Sequence, residues 1–152
     1  MISVQHDDFD IGVEYESLRS LTDSPGAIVT FTGLVRQIYD QDLDGDFVET
    51  LYLEHYPGMT EKKLKDIENQ AHLEWELLGS KIIHRIGELK ADEQIVFVGV
   101  ASCHRKDAFL AAQYMMDFLK SEAPFWKKQK SKKDSKWIDS RNSDLEAIRK
   151  WK

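Results

Sequence analysis

Apolar residues recur at helical spacing in three long segments of the chain. Residues 10–21 and 60–78 each predict an amphipathic helix, with Asp10 and Thr60 as the expected N-caps. A third amphipathic helix is predicted over residues 107–120. The remaining apolar segments lack this period and are candidates for strands.

β-Branched and aromatic residues mark the predicted strands. Residues 27–36 form the clearest one, with Gly33 expected at a bulge or a close approach, and residues 47–56 are expected to pair with it as a long hairpin. Residues 94–103 are apolar on both faces, which predicts a central strand covered on both sides. Shorter elements are expected as strands over residues 2–5, 81–89, 125–128 and 136–138, and as a closing helix capped by Ser143 over residues 143–151.

Hairpins mixed with helices favour an α+β fold over a doubly wound parallel sheet. With 152 residues, no internal repeat and no long Gly/Ser/Pro linker, the chain is expected to form one domain over residues 1–152. A hydrophobic content of 41% fits a globular protein, and no segment approaches the ~20 apolar residues of a membrane helix. Its first residues lack the basic and apolar regions of a signal peptide, so a cytoplasmic location is expected.

The charge of the chain is unevenly distributed. The net charge is -6, yet residues 120–136 contain seven lysines and two acidic residues, a local +5 that leaves -11 on the remainder. A nucleic-acid-binding protein would normally present a wider positive face. The basic strip therefore fits a local site for an anion better.

The middle of the chain contains the densest set of groups able to hold an anion and move protons. His104 and Arg105 follow the predicted central strand, and backbone N–H groups at the start of the next helix favour anions. Lys120 lies near the end of that helix, and Lys127 and Lys128 follow a Pro-Phe-Trp sequence. Adjacent strand residues point to opposite faces, so at most one of the latter two is expected in a pocket. Crowded cations would lower the pKa of one lysine toward neutrality, as acid–base catalysis requires.

Each of these residues also has an ordinary structural explanation. His104 can cap a helix in an exposed turn, and Lys120 suits a helix C-terminus for its charge alone. Arg36 ends a predicted strand and could clamp an anion, but it can equally be a solvated strand-end residue. Residues 130–133 could dock an acidic partner, but they fit a solvated loop. Spacing along the chain leaves both explanations open.

Cys103 is the single cysteine, so no internal disulfide can form. Beside His104 it could act as a nucleophile or carry sulfur, but at the end of a Val/Ala strand it is expected to be a small buried apolar residue. His55, His84 and His104 are scattered, and no Cys or His pair has zinc spacing, so no metal site is expected. The chain contains no phosphate loop or dinucleotide fingerprint.

Several segments closely resemble the large, catalytic subunit of molybdopterin synthase. They run along most of the chain, and three of them (LEHYPGMTEK, HRIGEL and APFWK) are highly specific. The matching segments are AIVTFTGLVR (27–36), LEHYPGMTEK (53–62), IHRIGEL (83–89), IVFVGVASCHR (95–105) and DFLKSEAPFWKK (117–128).

The resemblance implies an α/β hammerhead with a smaller antiparallel β subdomain, and a sulfurtransferase of molybdenum cofactor biosynthesis. Such an enzyme transfers sulfur to cyclic pyranopterin monophosphate (precursor Z) to form the dithiolene of molybdopterin. The sulfur comes from the thiocarboxylated Gly-Gly C-terminus of a small ubiquitin-like subunit. Two large subunits form the centre of a heterotetramer with one small subunit at each end, and no cofactor, metal, nucleic-acid or membrane partner is expected.

Carried over residue by residue, the resemblance implies Lys120 and Lys127 as catalytic lysines. Cys103 is expected to be dispensable, because the imported thiocarboxylate supplies the sulfur nucleophile. Leu34 and Gln129 depart from the basic and acidic residues that family members can have at these positions. The implied substrate contacts are Leu34, Val35, Arg36, His104, Arg105, Lys128, Gln129 and Arg141, the last completing the pocket of a neighbouring protomer.

Two other functions are compatible with parts of the sequence. A non-catalytic adaptor of the same fold could bind a ubiquitin-like tail, although Lys120 and Lys127 together favour the enzyme. A nucleic-acid-binding module using residues 127–136 would show steeply salt-dependent binding to random oligonucleotides.

Overall fold

The computed structural model describes residues 1–36, 50–130, 135–138 and 142–151. Within these ranges the chain has the predicted α+β class. Residues 37–46, between the predicted strands at residues 27–36 and 47–56, lie outside them. In chain order the elements are β1 (Ile2–Gln5), α1 (Ile11–Leu21), β2 (Ala27–Leu34), β3 (Thr50–His55), α2 (Met59–Glu74), β4 (Leu77–Arg85), β5 (Gly87–Lys90), β6 (Gln94–Ser102), α3 (Arg105–Glu122), β7 (Phe125–Lys130), β8 (Ser135–Ile138) and α4 (Asn142–Arg149).

β6 is an inner strand of a four-stranded sheet with the order β1-β4-β6-β2. It pairs antiparallel with β2 and β4, and β1 lies parallel to β4. Alternate residues of β6 pack on opposite sides of the sheet: Val98 joins the core that contains Met115 of α3, and Phe97 joins Leu18 of α1. The prediction of a central strand covered on both sides is therefore confirmed.

The second sheet has the order β5-β3-β7-β8 and antiparallel pairing throughout. Leu51 and Leu53 of β3 and Leu89 of β5 are buried in the same core cluster as Val98 of the first sheet. The two sheets therefore share one hydrophobic core, and the second sheet has an inner face directed toward it.

The predicted hairpin between residues 27–36 and 47–56 is wrong. β2 pairs with β6 of the first sheet, whereas β3 pairs with β5 and β7 of the second. An alternating pattern decides which face of a strand is buried, but it suits any antiparallel neighbour. The expected irregularity at Gly33 is confirmed, because the register shifts there and a Cβ would lie 2.6 Å from Cγ1 of Val96.

α2 is shorter than the sequence predicts. It begins at Met59 after an N-cap at Gly58, whose backbone N–H donates to the Glu61 carboxylate at 2.7 Å, so Thr60 is not the cap. It ends at Glu74, because Trp75 is extended and packs its ring edge-on against that of Tyr114. The sequence predicts a longer helix because apolar residues at the start of β4 happen to continue the helical spacing.

The predicted strand over residues 81–89 is in fact two strands in different sheets. β4 ends at Arg85, and Gly87 has a φ of +88°, a conformation that residues with a side chain rarely adopt. A Cβ at this position would also lie 2.8 Å from Nδ1 of His6. The chain turns here from the first sheet into the second.

The other helices largely follow the sequence pattern. Asp10 caps α1 by accepting a hydrogen bond from the N–H of Val13 at 3.1 Å, as predicted. α3 follows His104, and α4 begins at Asn142, which places Ser143 inside the helix rather than at its cap. None of the helices within the described ranges is long and apolar enough to cross a membrane.

Candidate active site

Lys120 and Lys127 lie close to the same buried side chain, His84. Lys120 is in the last turn of α3, and Lys127 is the third residue of β7, just beyond the break at Pro124. The charges of both lysines act on the His84 ring and lower its pKa. Two ammonium groups from different elements therefore approach one point in the fold.

Sheet pairing brings the lysines to a defined end of the molecule. Leu34 lies opposite Gln94, and His84 lies opposite Val96, so the end of β2, the end of β4 and the start of β6 are adjacent. α3 starts after the far end of β6 and packs back along β6 and β2. Lys120, in the last turn of α3, thus returns to this end, which we call the lysine end.

His84 forms the buried base of the lysine end. Its side chain is 5% exposed, and its ring stacks on that of Phe125 with centroids 3.8 Å apart and 18° between the planes. Burial is the largest cause that lowers its pKa to about 3, and the neighbouring Lys127 and Lys120 act in the same direction. The ring is therefore neutral at physiological pH.

The tautomer of His84 follows from its hydrogen bond. Nδ1 lies 2.8 Å from the carbonyl oxygen of Arg85, and a carbonyl oxygen can only accept. Nδ1 must therefore carry the proton, which leaves Nε2 as an acceptor. The imidazole is held in one orientation by this bond on one edge and by the Phe125 ring on one face.

His55 also lies near Phe125. The ring centroids are 6.5 Å apart, and the His55 side chain is 14% exposed. Its Nδ1 is buried 4.0 Å from the Glu61 carboxylate, and the described residues offer it no hydrogen-bond partner. The lysine end thus contains two histidines and two lysines around one phenylalanine.

Lys127 and Lys128 lie on opposite faces of the second sheet. Lys127 is opposite Leu53, which is 1% exposed, so it shares the inner face. Lys128 is opposite Tyr52, which is 40% exposed, so it shares the outer face. The two lysines therefore lie on opposite faces, as strand geometry predicts, and Lys127 is the one on the face toward the core. That Lys127 points into a substrate pocket stays a prediction.

The predicted strand-end contacts lie at the lysine end but differ in exposure. Leu34 is 52% exposed and Arg36 is exposed, so both side chains can reach a bound molecule. Val35 is buried in the core, with its N–H bonded to the Glu93 oxygen at 2.8 Å and its oxygen bonded to the Asp92 N–H at 2.7 Å. Val35 therefore fixes the backbone of this strand end through its burial and its two backbone hydrogen bonds.

His104 and Arg105 lie at the opposite end of α3 from Lys120. Fifteen helical residues separate Arg105 from Lys120, which corresponds to about 22 Å along the helix axis. Both His104 and Arg105 are exposed, and the His104 side chain does not cap the helix. A single copy of the chain therefore does not bring this pair to the lysines.

Two further predicted contacts are only partly within the described structure. The backbone of Gln129 pairs with Leu51 in the second sheet, beside Lys127 and Lys128. Arg141 lies outside the described residues. Substrate contacts by both residues stay predictions.

Cys103 is exposed, so the expectation of a buried apolar cysteine is wrong. It lies just beyond the last residue of β6, where it no longer takes part in the core. It adjoins His104 and is therefore at the end of the molecule remote from the lysines. Within the described ranges, no group of three His, Cys, Asp or Glu residues is arranged to hold a metal ion.

Comparison with known proteins identifies the family. The family model described as MoaE protein matches residues 4–122. The molybdopterin synthase catalytic subunit of Vibrio cholerae is 50% identical over 150 residues, covering 99% of this chain and 97% of the relative. The chain belongs to the MoaE family. The corresponding subunit of Escherichia coli, another member, is 49% identical over 143 residues, covering 94% of this chain and 92% of the relative.

Solved MoaE structures share the fold. The MoaE protein of Burkholderia ambifaria has a TM-score of 0.83 and 41% identity, covering 99% of this chain and 97% of its own. The molybdopterin synthase of Staphylococcus aureus has a TM-score of 0.78 and 34% identity, covering 90% of this chain and 96% of its own. These matches confirm the expected α+β class, the family and its enzymatic function as the catalytic subunit of molybdopterin synthase. The hammerhead description of the fold stays a prediction.

Sequence reasoning did not single out His84 as part of the site. The residue lies inside IHRIGEL, a segment that matches the family and predicts a strand. The available signal was an imidazole within an otherwise apolar strand next to an arginine. Its proximity to Lys120 and Lys127 depends on long-range packing, which local patterns do not contain.

Proposed function

We propose that the lysine end is the site where sulfur passes from a thiocarboxylated protein tail to cyclic pyranopterin monophosphate. The observation that carries this proposal is that Lys127 lies two residues from Phe125, the ring stacked on the buried His84, while Lys120 of α3 also acts on the His84 ring. One lysine comes from a helix end and the other from the inner face of a neighbouring strand. Both substrates are anionic, so paired ammonium groups favour their joint binding.

The sulfur transfer itself needs no nucleophile from this chain. The thiocarboxylate sulfur attacks a carbon of the pyranopterin, and the new C–S bond replaces a C–O bond of that carbon. For one of the two sulfurs the displaced oxygen stays on the phosphate, which opens the cyclic ester, and for the other it leaves as water. Water then adds to the acyl carbon, the acyl–sulfur bond breaks, and the tail leaves as a carboxylate. A second thiocarboxylated tail delivers the second sulfur of the dithiolene.

Lys120 and Lys127 have two tasks in this scheme. Addition of water to the acyl carbon produces a tetrahedral oxyanion, which an ammonium group stabilises. Opening of the cyclic phosphate and release of the tail require protons, which an ammonium group can supply. The exposed Arg36 at the same end can hold the phosphate through a bidentate contact.

We propose that the donor tail belongs to a small ubiquitin-like subunit ending in Gly-Gly. A structural neighbour from Helicobacter pylori, with a TM-score of 0.73 and 17% identity, is a complex of subunits 1 and 2 of molybdopterin-converting factor. That neighbour shares the fold with this chain, and its composition supports a two-subunit enzyme. Glycine residues suit a tail that must enter a narrow site, because they carry no side chain.

We propose further that two copies of the chain form the centre of a heterotetramer with a small subunit at each end. The support is the position of His104 and Arg105, which are exposed and about 22 Å along α3 from Lys120. If these residues contact substrate, they contact it in the site of a second copy. Family resemblance alone assigns Arg141 to the site of the neighbouring copy.

The test reconstitutes the enzyme from this chain, a thiocarboxylated small subunit and precursor Z, and measures molybdopterin. Lys120→Ala should lower the rate of formation at least about a hundredfold, since it removes a charge from the transition state. Lys62→Ala is the matched control, because Lys62 is an exposed helical lysine paired with Asp66 at 3.1 Å. Near-normal product from Lys120→Ala, with tail binding intact, would contradict the proposed role.

A further inference from the structure

His84 is buried beneath the lysine end, yet the proposed reaction gives it no task. Its position is decided by two contacts with different parts of the fold. Nδ1 donates to the Arg85 oxygen at the end of β4, and the ring face stacks on Phe125 at the start of β7. β4 belongs to the first sheet and β7 to the second.

The stacked pair is therefore a contact between the two sheets. Lys120 is held by α3, which packs on the first sheet, and Lys127 is held by β7 of the second. The distance between the two ammonium groups thus depends on how the sheets are seated against each other. Phe125 is two residues before Lys127 on the same face of β7, so a shift of the strand backbone at Phe125 also shifts Lys127.

The chemistry of the ring also suits this place. The charged groups facing it are Lys127 from β7, Lys120 from α3 and His55 from β3, and each disfavours a further positive charge. The adjoining Arg85 directs its guanidinium away, to the carbonyl oxygens of His6 and Gln94. A neutral aromatic ring can fill this space without weakening the binding of an anion to either lysine.

We propose that His84 is a positioning residue for the lysine pair: stacked on Phe125 and anchored to the Arg85 carbonyl, it sets Lys127 relative to Lys120. The inference rests on the proposed function of the lysines. It assigns His84 no proton transfer and no direct contact with substrate. The residue acts through Phe125 and Lys127.

A double-mutant cycle on the reconstituted enzyme tests this assignment. His84→Leu removes the flat ring, and we expect kcat to fall at least about tenfold. In a Lys127→Ala background the same change should lower kcat by less than about twofold, because the residue through which His84 acts is already absent. A general loss of stability would instead lower the rate by the same factor in both backgrounds, and that result would overturn the proposal.

Two further variants keep the outcome interpretable. His84→Phe retains a neutral ring able to stack on Phe125, so its kcat should lie at least about threefold above that of His84→Leu. Equal losses of kcat in the two folded variants would overturn the role of stacking. His72→Leu is the matched control, because His72 bonds to Ser80 at 2.8 Å in a separate part of the fold.

The same measurements separate this inference from the proposed function. If Lys127→Ala alone leaves kcat unchanged, the role proposed for the lysine fails, and the positioning role of His84 fails with it. If Lys127→Ala is impaired but the effects of the two substitutions multiply, the function stands and the positioning role of His84 fails. Circular dichroism and thermal unfolding of each variant establish that the folded enzyme is being compared.

Discussion

Lys127 lies opposite Leu53 in the antiparallel register of β7 and β3, and Leu53 is 1% exposed. This pairing places the lysine on the inner face of the second sheet, although the residues that follow it in sequence are polar. Lys128 lies opposite the exposed Tyr52 and therefore belongs to the outer face. The two adjacent lysines therefore lie on different faces of the second sheet.

The two lysines should differ sharply when each is replaced by alanine. Lys127→Ala should lower kcat for molybdopterin formation at least about a hundredfold, because it removes a charge next to the reacting atoms. Lys128→Ala should act mainly on KM, by less than about tenfold, as expected for a contact at the rim. Equal losses of kcat from the two changes, measured with saturating substrates, would contradict the assignment of faces.

The stability of the protein should depend on pH through His84. Its pKa is about 3 in the folded protein, below the ordinary value of 6.5 that applies in the unfolded chain. Above pH 6.5 the ring is neutral in both states. As the pH falls below 6.5 the unfolded chain binds a proton that the folded chain does not, which lowers the free energy of unfolding by about 2 kcal/mol at pH 5.

Urea unfolding at pH 7 and pH 5 measures this contribution. His84→Phe has no titrating ring, so the free energy that it loses between the two pH values should be smaller by about 2 kcal/mol than the loss of the unmodified protein. His6→Phe serves as a control at an exposed histidine. Identical pH dependence of the unmodified protein and His84→Phe would show that His84 titrates normally.

Local patterns were sufficient for most helices and strands but not for strand pairing. Residues 94–103 predicted a central strand because an apolar run on both faces has no other place in a soluble fold. The segment IHRIGEL read as one strand, since a pattern of apolar residues does not show that Gly87 bends the backbone. The wrong hairpin has a similar cause: pairing is decided by packing between distant segments, which alternation does not encode.

The candidate site was predictable to the extent that it depends on residue type. Lys120 and Lys127 stood out because they flank a break at Pro124 within a family motif. The division between Lys127 and Lys128 followed from strand geometry, but the inner one could be identified only from the register with Leu53. His84 was missed because its neighbours in space come from α3, β3 and β7, far away in sequence.

Arg85 should be important for stability although it is charged. It is 7% exposed, donates to the His6 oxygen from Nε at 3.1 Å and Nη2 at 3.0 Å, and donates to the Gln94 oxygen from Nη1 at 2.9 Å. Lysine cannot reproduce this planar set of donors, so Arg85→Lys should lower the free energy of unfolding by about 2–4 kcal/mol. Arg19→Lys is the control, because Arg19 forms an exposed pair with Glu16. A change below about 0.5 kcal/mol in urea unfolding of Arg85→Lys would contradict the role of these bonds.

The separation of His104 and Arg105 from Lys120 along α3 leads to a test of the dimer. One variant carries Lys120→Ala, and the other carries His104→Ala together with Arg105→Ala. In a mixed dimer, the intact lysine of the second variant meets the intact His-Arg pair of the first, provided that the pair acts on the neighbouring copy. Each mixed dimer then contains one complete site and one site lacking both sets of groups.

Coexpression of the two inactive variants should therefore restore activity. With equal amounts and random assembly, half of the dimers are mixed and each has one complete site, so about a quarter of the unmodified activity is expected. Coexpression of Lys120→Ala with Lys127→Ala is the matched control, because both lysines belong to the site of one chain and no complete site can form. If the His-Arg pair acted within its own chain, every site would lack one required group, and the first mixture would be as inactive as the control. If molybdopterin formation is restored in the first mixture but not in the control, the two ends of α3 act in two different sites.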